Sequence, residues 1–266
     1  GWKPTKNIVR VMKLSKLKWR QNKVNELHLF AGAGGGILGG QLLGHTTVCA
    51  VEIEEYPRQV LLQRQRDGLL PKFPIWDDVC TFDGTPWKGT VDVVCGGFPC
   101  QDLSIANPRG KGLEGSRSGL WSEMRRVIDE VQPEIVFVEN SGRLISRGIG
   151  RVISDLSEIG YMGRYTLLGG HETGSCSDGK RVWIYATKAN SKRREEVQAV
   201  QAFKSSSPSS SQRQFSRAIG ATWDEKTDSR MRRDPNAMAR GLERLKSIGN
   251  GQDPVLAATA WNILSQ

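Results

Sequence analysis

Nowhere in the 266-residue sequence is there an apolar run near the roughly 20 residues that a bilayer crossing needs. The basic N-terminal stretch also has no continuous apolar core, which argues against a signal peptide, so a non-secreted protein of the cytoplasm or nucleoid is expected. Cysteine is scarce and badly spaced for structural work. Cys49, Cys80, Cys95, Cys100 and Cys176 are odd in number and form no CxxC pair. That pattern argues against a disulfide framework and against a structural zinc site, and no metal is expected. Acidic residues are missing from residues 1–25, which hold eight Lys or Arg. A second basic stretch, Lys188 to Arg233, carries eleven basic and five acidic residues. The whole chain has a formal charge of +10, so these two attachments leave a mildly acidic body between them. Such an arrangement suits a polyanion partner, because phosphate contacts dominate nucleic-acid affinity. A solubilising tail is the alternative.

What is present, from Asn25 onward, is an alternation of short apolar runs, glycine-rich turns and amphipathic stretches. Such alternation predicts an α/β fold with a mostly parallel sheet. Glu26–Phe30 reads as a strand, Ala31–Gly36 as a glycine-rich turn and Ile37–Leu43 as a helix, the arrangement in which backbone approaches a ligand at a helix N-terminus. The glycines are clustered too tightly for the GxGxxG dinucleotide fingerprint. A second strand, Thr47–Val51, runs into Glu52, placed to accept hydrogen bonds from ribose hydroxyls. A helix over Tyr56–Arg66 and a strand around Phe73–Trp76 then lead to Asp78, which could meet an adenine amino group. Together these residues describe a pocket for an adenosine-bearing ligand with no pyrophosphate to hold. S-adenosylmethionine meets that description, and a nicotinamide dinucleotide is the alternative at this point.

Val91–Cys95 reads as a buried strand that runs into Gly96-Gly97-Phe98-Pro99-Cys100-Gln101. Pro99 fixes the backbone beside Cys100, which makes that thiol a candidate nucleophile presented from a stiff support. A small buried hydrophobe is the alternative reading of the same cysteine. The glycine-rich cationic loop 103–119 follows, suited to close over a phosphate backbone, with a merely solvated loop as the alternative. Leu120–Val131 is predicted as an amphipathic helix and Glu134–Val138 as a central strand ending in Glu139-Asn140. Strand C-termini in open α/β sheets gather ligands on one rim, so Glu139 and Cys100 are expected to share it. Ile145–Ile159 is predicted as one helix. Tyr161–Leu168 and Arg181–Ala186 are predicted as an antiparallel hairpin at one edge, with Arg181 on the same rim. A last helix is expected over Val255–Leu264.

These residues, in this order, make the chain resemble the DNA (cytosine-5-)methyltransferase family over residues 25–188 and again over 240–264. The resemblance rests on Phe30-Ala31-Gly32-Ala33-Gly34-Gly35, Glu52, Asp78-Val79, Phe98-Pro99-Cys100-Gln101, Glu139-Asn140 and Ile248–Val255. It implies a Rossmann-like S-adenosylmethionine-dependent methyltransferase fold with a seven-stranded sheet and a small C-terminal recognition region. It further implies a cofactor site of Phe30, Ala31, Gly32, Gly34, Gly35, Glu52, Ile53, Asp78, Val79, Gly97, Pro99, Leu120, Asn250 and Gly251. Cys100, Glu139 and Arg181 would be catalytic, and Gln101, Ser104, Asn140 and Lys180 would contact the substrate. The substrate would be cytosine in double-stranded DNA, methylated at carbon 5 through a Cys100 adduct on a flipped-out base. The same chemistry on RNA and an inactive or partner-dependent DNA-binding homologue are the alternatives.

Two departures from the family pattern stand out. The family usually carries Gln-x-Arg-x-Arg before the strand that starts at Arg181, and here the Gln and first Arg positions hold Ser177 and Gly179. The recognition region is also short: between that strand and the last motif lie residues 189–239, including the serine-rich run 205–211, which has too little apolar surface to fold alone. The expected organisation is therefore a basic extension 1–24, a catalytic domain 25–188, a reduced and partly disordered recognition region 189–239, and a returning segment 240–266. A monomer is expected, with a partner subunit as the alternative.

Overall fold

The computed structural model of the protein describes residues 23–99, 119–170, 179–189 and 251–266. Expectations on Cys100, Gln101, Ser104, Ser177 and Asn250, on the loop 103–118, and on residues 1–22 and 190–239 lie outside the described residues.

Among the described residues seven strands form one sheet: β1 Asn25–Leu29, β2 Thr46–Val51, β3 Ile75–Trp76, β4 Val93–Gly96, β5 Ile135–Ser141, β6 Tyr161–Leu168 and β7 Arg181–Lys188. Their spatial order is β3-β2-β1-β4-β5-β7-β6. The first five run parallel, and β7 is antiparallel to both β5 and β6. The edge hairpin predicted from the sequence is therefore present. Among the described residues the α-helices are α1 Gly35–Leu43, α2 Glu55–Arg66, α3 Gly119–Val131, α4 Leu144–Arg147, α5 Ile149–Glu158 and α6 Pro254–Leu264.

Strand pleating divides the core into two layers. Leu27, Leu29, Val94, Val136, Val138, Val182 and Ile184 pack under Trp121, Met124 and Val127 of α3 and Val152 and Leu156 of α5. Trp121 Nε1 donates to buried Asp155 at 2.7 Å, tying α3 to α5. On the opposite face Val93, Cys95, Phe137, Trp183 and Tyr185 pack against Leu256, Ala257, Ala260, Trp261 and Leu264 of α6. Trp261 meets both Phe137 and Tyr185 edge-on at 5.2 Å between ring centroids. The last helix thus closes a layer of the central sheet, and it also lies directly on α1. A Cβ on Gly39 of α1 would sit 2.8 Å from the Cβ of Ala257, so the two helices touch through backbone. Asp253 starts α6 by accepting from the N–H groups of Val255 (2.9 Å) and Leu256 (3.0 Å), with Pro254 in the first turn.

Two elements differ from the sequence expectation. The single helix predicted over Ile145–Ile159 is broken at Gly148 into α4 and α5. Gly148 is the break itself, with φ 179°, and Gly150 lies in the first turn of α5. Glycine is among the poorest helix formers, so interrupting the helix there costs little. The third strand is reduced to Ile75–Trp76, because Pro74 has no N–H for the ladder. Asp78 accordingly lies beyond the strand, in a turn where its Oδ1 accepts from the Cys80 N–H at 2.9 Å. Among the described residues, no helix is long and apolar enough to cross a membrane.

Candidate active site

β1 ends at Leu29 and the chain at once leaves ordinary backbone geometry. Phe30 takes φ 53°, Gly32 φ 54° and Gly34 φ 92°. A non-glycine residue in the left-handed region costs on the order of 1–3 kcal/mol, and such strain gathers at functional sites. It is held here by the Ala31 N–H on Val51 O (3.1 Å) and the Gly34 N–H on Ala31 O (3.1 Å). The turn folds onto Glu52, at the end of β2. Glu52 Oε2 accepts from the Gly32 N–H at 2.7 Å and Oε1 from the Glu54 N–H at 2.9 Å. Burial raises its pKa, and the two N–H groups act in the opposite direction.

The space beside this turn fits an adenosine-bearing cofactor. A Cβ on Gly32 would meet nothing within 4 Å, so the backbone borders open room. Each Glu52 oxygen has accepted one hydrogen bond and can accept another from a ribose hydroxyl. Ile53 is 64% exposed next to it, an apolar side chain left bare beside a polar grip, as a flat ring would require. Val79 is buried and Asp78 half-buried on the neighbouring turn. Arg126 of α3 fixes that turn, donating from Nη2 to Val79 O at 2.7 Å and from Nη1 to Phe82 O at 2.9 Å. Half-buried Leu120 begins the same helix.

The second half of the site lies at the end of β5. Glu139 is only 6% exposed, and its Oε1 is 3.5 Å from Arg181 Nε. Burial pushes the Glu139 carboxyl up to about 7, with Arg181 and a hydrogen bond from Gln252 acting against that rise. The sheet register explains the pairing with Arg181. Glu139 lies opposite Trp183, and Arg181 is two residues further along antiparallel β7, hence on the same face. Gly97 follows β4 close by, and a Cβ on it would come within 2.7 Å of Glu139 Oε2.

Asn140, expected at the substrate, is committed within the chain. Its Nδ2 donates to Phe98 O at 2.8 Å, and its Oδ1 accepts from the Ser141 N–H at 2.8 Å. Phe98 is buried against Trp121 at 5.1 Å between centroids. Exposed Pro99 therefore follows a residue anchored in the core. Lys180 is exposed, and its carbonyl accepts from the Gly142 N–H at 2.9 Å. Gly251 is half-buried before α6.

A family profile described as C-5 cytosine-specific DNA methylase matches residues 24–247. The chain belongs to that family. The Type II methyltransferase M.Eco47II of Escherichia coli is 33% identical over 164 residues, 58% of this chain and 37% of that protein. The Type II methyltransferase M.CviJI of Paramecium bursaria Chlorella virus IL3A is 33% identical over 151 residues, 54% of this chain and 39% of that one. The matches thus span well under half the length of these relatives. Among solved structures, a Spodoptera frugiperda DNMT2 mutant aligns with TM-score 0.55 at 17% identity, over 69% of this chain and 55% of that one. That likeness speaks for the fold alone.

Several residues that organise the site were not singled out in the sequence. Glu26 and His28 alternate on the α6 face of β1, and Glu26 accepts from both histidines nearby: His28 Nε2 is 2.9 Å from Oε2 and His45 Nδ1 is 2.7 Å from Oε1. Glu26 is buried, yet its pKa is lowered to about 2: the two imidazole contacts outweigh the desolvation that opposes them. Its carboxylate lies flush against Gly40 of α1, while His45 meets Trp261 of α6 edge-on at 4.8 Å. Cys95 joins this group: Glu26, His28 and Cys95 offer ligand-type atoms within 4.8 Å of one another, although Glu26 and His28 already satisfy each other. The sequence signal was an acid and a histidine two apart in an otherwise apolar strand. Gln252 lay within the motif Ile248–Val255, but nothing in the sequence gave its side chain a role.

Proposed function

We propose that the protein transfers a methyl group from S-adenosylmethionine to carbon 5 of cytosine in double-stranded DNA. The observation that carries this reading is the buried Glu139, raised to about 7 beside Arg181, on the same rim of the sheet as the Glu52-braced glycine turn. Family membership and the Type II methyltransferases among the relatives support the substrate.

S-adenosylmethionine supplies the electrophilic methyl group, and Gly32, Glu52, Ile53 and Asp78 would hold its adenosine portion. Every other contribution comes from the chain. Carbon 5 of cytosine is a weak nucleophile, so the Cys100 thiolate adds to carbon 6, converting the ring to an enamine with nucleophilic carbon 5. Charge develops at ring N3, where Glu139 in its protonated form donates a hydrogen bond or a proton. Arg181 holds the Glu139 carboxyl and favours the thiolate over the thiol. After methylation the carbon 5 proton leaves to a base, the carbon–sulfur bond breaks, and the aromatic ring is restored. The base must leave the duplex stack for any of this to occur. On this reading residues 189–239 form a small target-recognition region and 240–266 return to the catalytic domain.

The deciding experiment follows labelled methyl from S-adenosylmethionine into DNA and into an RNA control, with Cys100→Ser in parallel. Label on DNA that vanishes in the variant is expected. Label confined to RNA would move the substrate class, and no label on either polymer despite cofactor binding would refute a self-sufficient enzyme.

A further inference from the structure

Two side chains act on the Glu139 carboxyl besides its own burial, and family resemblance accounts for one of them, Arg181. The other is Gln252, from the short segment that turns into α6. Its placement is closely bounded. A Cβ on Gly35 would overlap the Gln252 carbonyl oxygen, and a Cβ on Gly36 would overlap its Oε1. A Cβ on Gly97 would lie 3.2 Å from Gln252 Nε2 and 2.7 Å from Glu139 Oε2. Gln252 therefore passes over the first turn of α1, behind the glycine turn, and brings its amide to the carboxyl at the end of β5. The glycines at 35, 36 and 97 leave room for this path.

We propose that Gln252 is a positioning residue for Glu139: its side-chain amide donates to the carboxyl and orients it, while its main chain braces the glycine turn. The inference deepens the reading of Glu139 as the group that meets the target base, and rests on it. An amide donor next to a buried carboxyl favours the ionised form and fixes which oxygen faces outward. Arg181 on β7 is the charged group acting on the same carboxyl. Gln252 thereby links two halves of the site that lie on different strands. Bracing the turn and presenting an acid to the base would then depend on one residue, the first on its main chain and the second on its side chain.

The test is a carbon-13 titration of the Glu139 carboxyl in the full chain, assigned with Glu139→Gln, in unaltered protein and in Gln252→Met. Methionine keeps the length and volume of glutamine but cannot donate. The midpoint should rise by roughly one pH unit, the worth of a single hydrogen bond removed. Turnover should fall about tenfold at fixed affinity for S-adenosylmethionine, and Gln252→Ala should reproduce the midpoint shift. In unaltered protein the Gln252 side-chain amide protons should titrate with the Glu139 midpoint, a measurement independent of whether either variant folds. Gln252 amide signals indifferent to the Glu139 titration, or an unmoved midpoint in a folded variant, would overturn the proposal. Neither readout needs methyl transfer, so a Cys100-dependent reaction with an unmoved midpoint sinks this inference alone, and a moved midpoint without transfer sinks the reaction alone.

Discussion

At the scale of single residues, ionising Glu139 has a thermodynamic consequence apart from chemistry. Its folded-state pKa of about 7 lies above that of an exposed glutamate, so the folded protein binds the proton more tightly than the unfolded chain does. The associated stability is fully present below about pH 4 and is lost as pH rises toward 7, by about 3 kcal/mol in all. Thermal unfolding of Glu139→Gln should therefore lack this part of the decline between those pH values, which calorimetry across the range checks. The same substitution should slow methyl transfer by on the order of 100-fold, since a neutral amide can hold N3 but cannot give it a proton. For Glu52→Gln the expected outcome is a dissociation constant for S-adenosylmethionine raised about tenfold in titration calorimetry, because the amide presents a donor where two N–H groups already point. The rim positions of Glu52, Glu139 and Arg181 were legible from the sequence because Glu52 and Glu139 lie at the ends of apolar runs and Arg181 opens one. Asn140 was expected at the substrate, and its commitment to Phe98 was not legible. Which partner a rim side chain takes depends on the loop facing it, and local pattern holds no information on that.

Among elements, the junction of α1 with α6 is the least forgiving. Gly35→Ala would drive a methyl group into the Gln252 carbonyl, which is backbone and cannot rotate away. A loss of about 2–3 kcal/mol is expected by chemical denaturation, along with weaker cofactor binding, since the helix and the turn move together. Glu26→Gln acts at the same junction from beneath. It replaces a carboxylate that serves two imidazoles with a group able to accept at one atom only, and should cost about 3 kcal/mol. The strand and helix sequence was readable because short continuous apolar runs, bounded by glycine-rich turns, alternate with amphipathic stretches. The break at Gly148 and the shortened β3 were missed because each turns on one backbone atom, a glycine φ or a proline nitrogen. The burial of Glu26 and His28 was invisible for a different reason: their partners, His45 and the α6 packing, arrive from far along the chain.

For the whole molecule, charge is the property that the sequence displays most openly and that acts over the longest range. Replacing Lys13, Lys16, Lys18 and Arg20 by glutamine should flatten the dependence of DNA affinity on salt, by roughly 0.9 in logarithmic slope for each phosphate no longer neutralised. Binding isotherms at several salt concentrations would measure this, and an unchanged slope would assign those cations no phosphate. The antiparallel course of β7 has a further consequence. A parallel strand in that position would deliver its first residue to the far side of the sheet, whereas here entry into β7 coincides with the exit from β5. Arg181 thus reaches Glu139 by counting from the hairpin, and the pairing behaves as a vernier. Slipping β7 by one residue would turn the guanidinium to the other face, and slipping it by two would restore the face roughly 7 Å out of reach. Insertions in the β6–β7 connection are therefore harmless only while the ladder keeps count, so tolerance to added length there is itself an assay of how strictly Arg181 is indexed to Glu139.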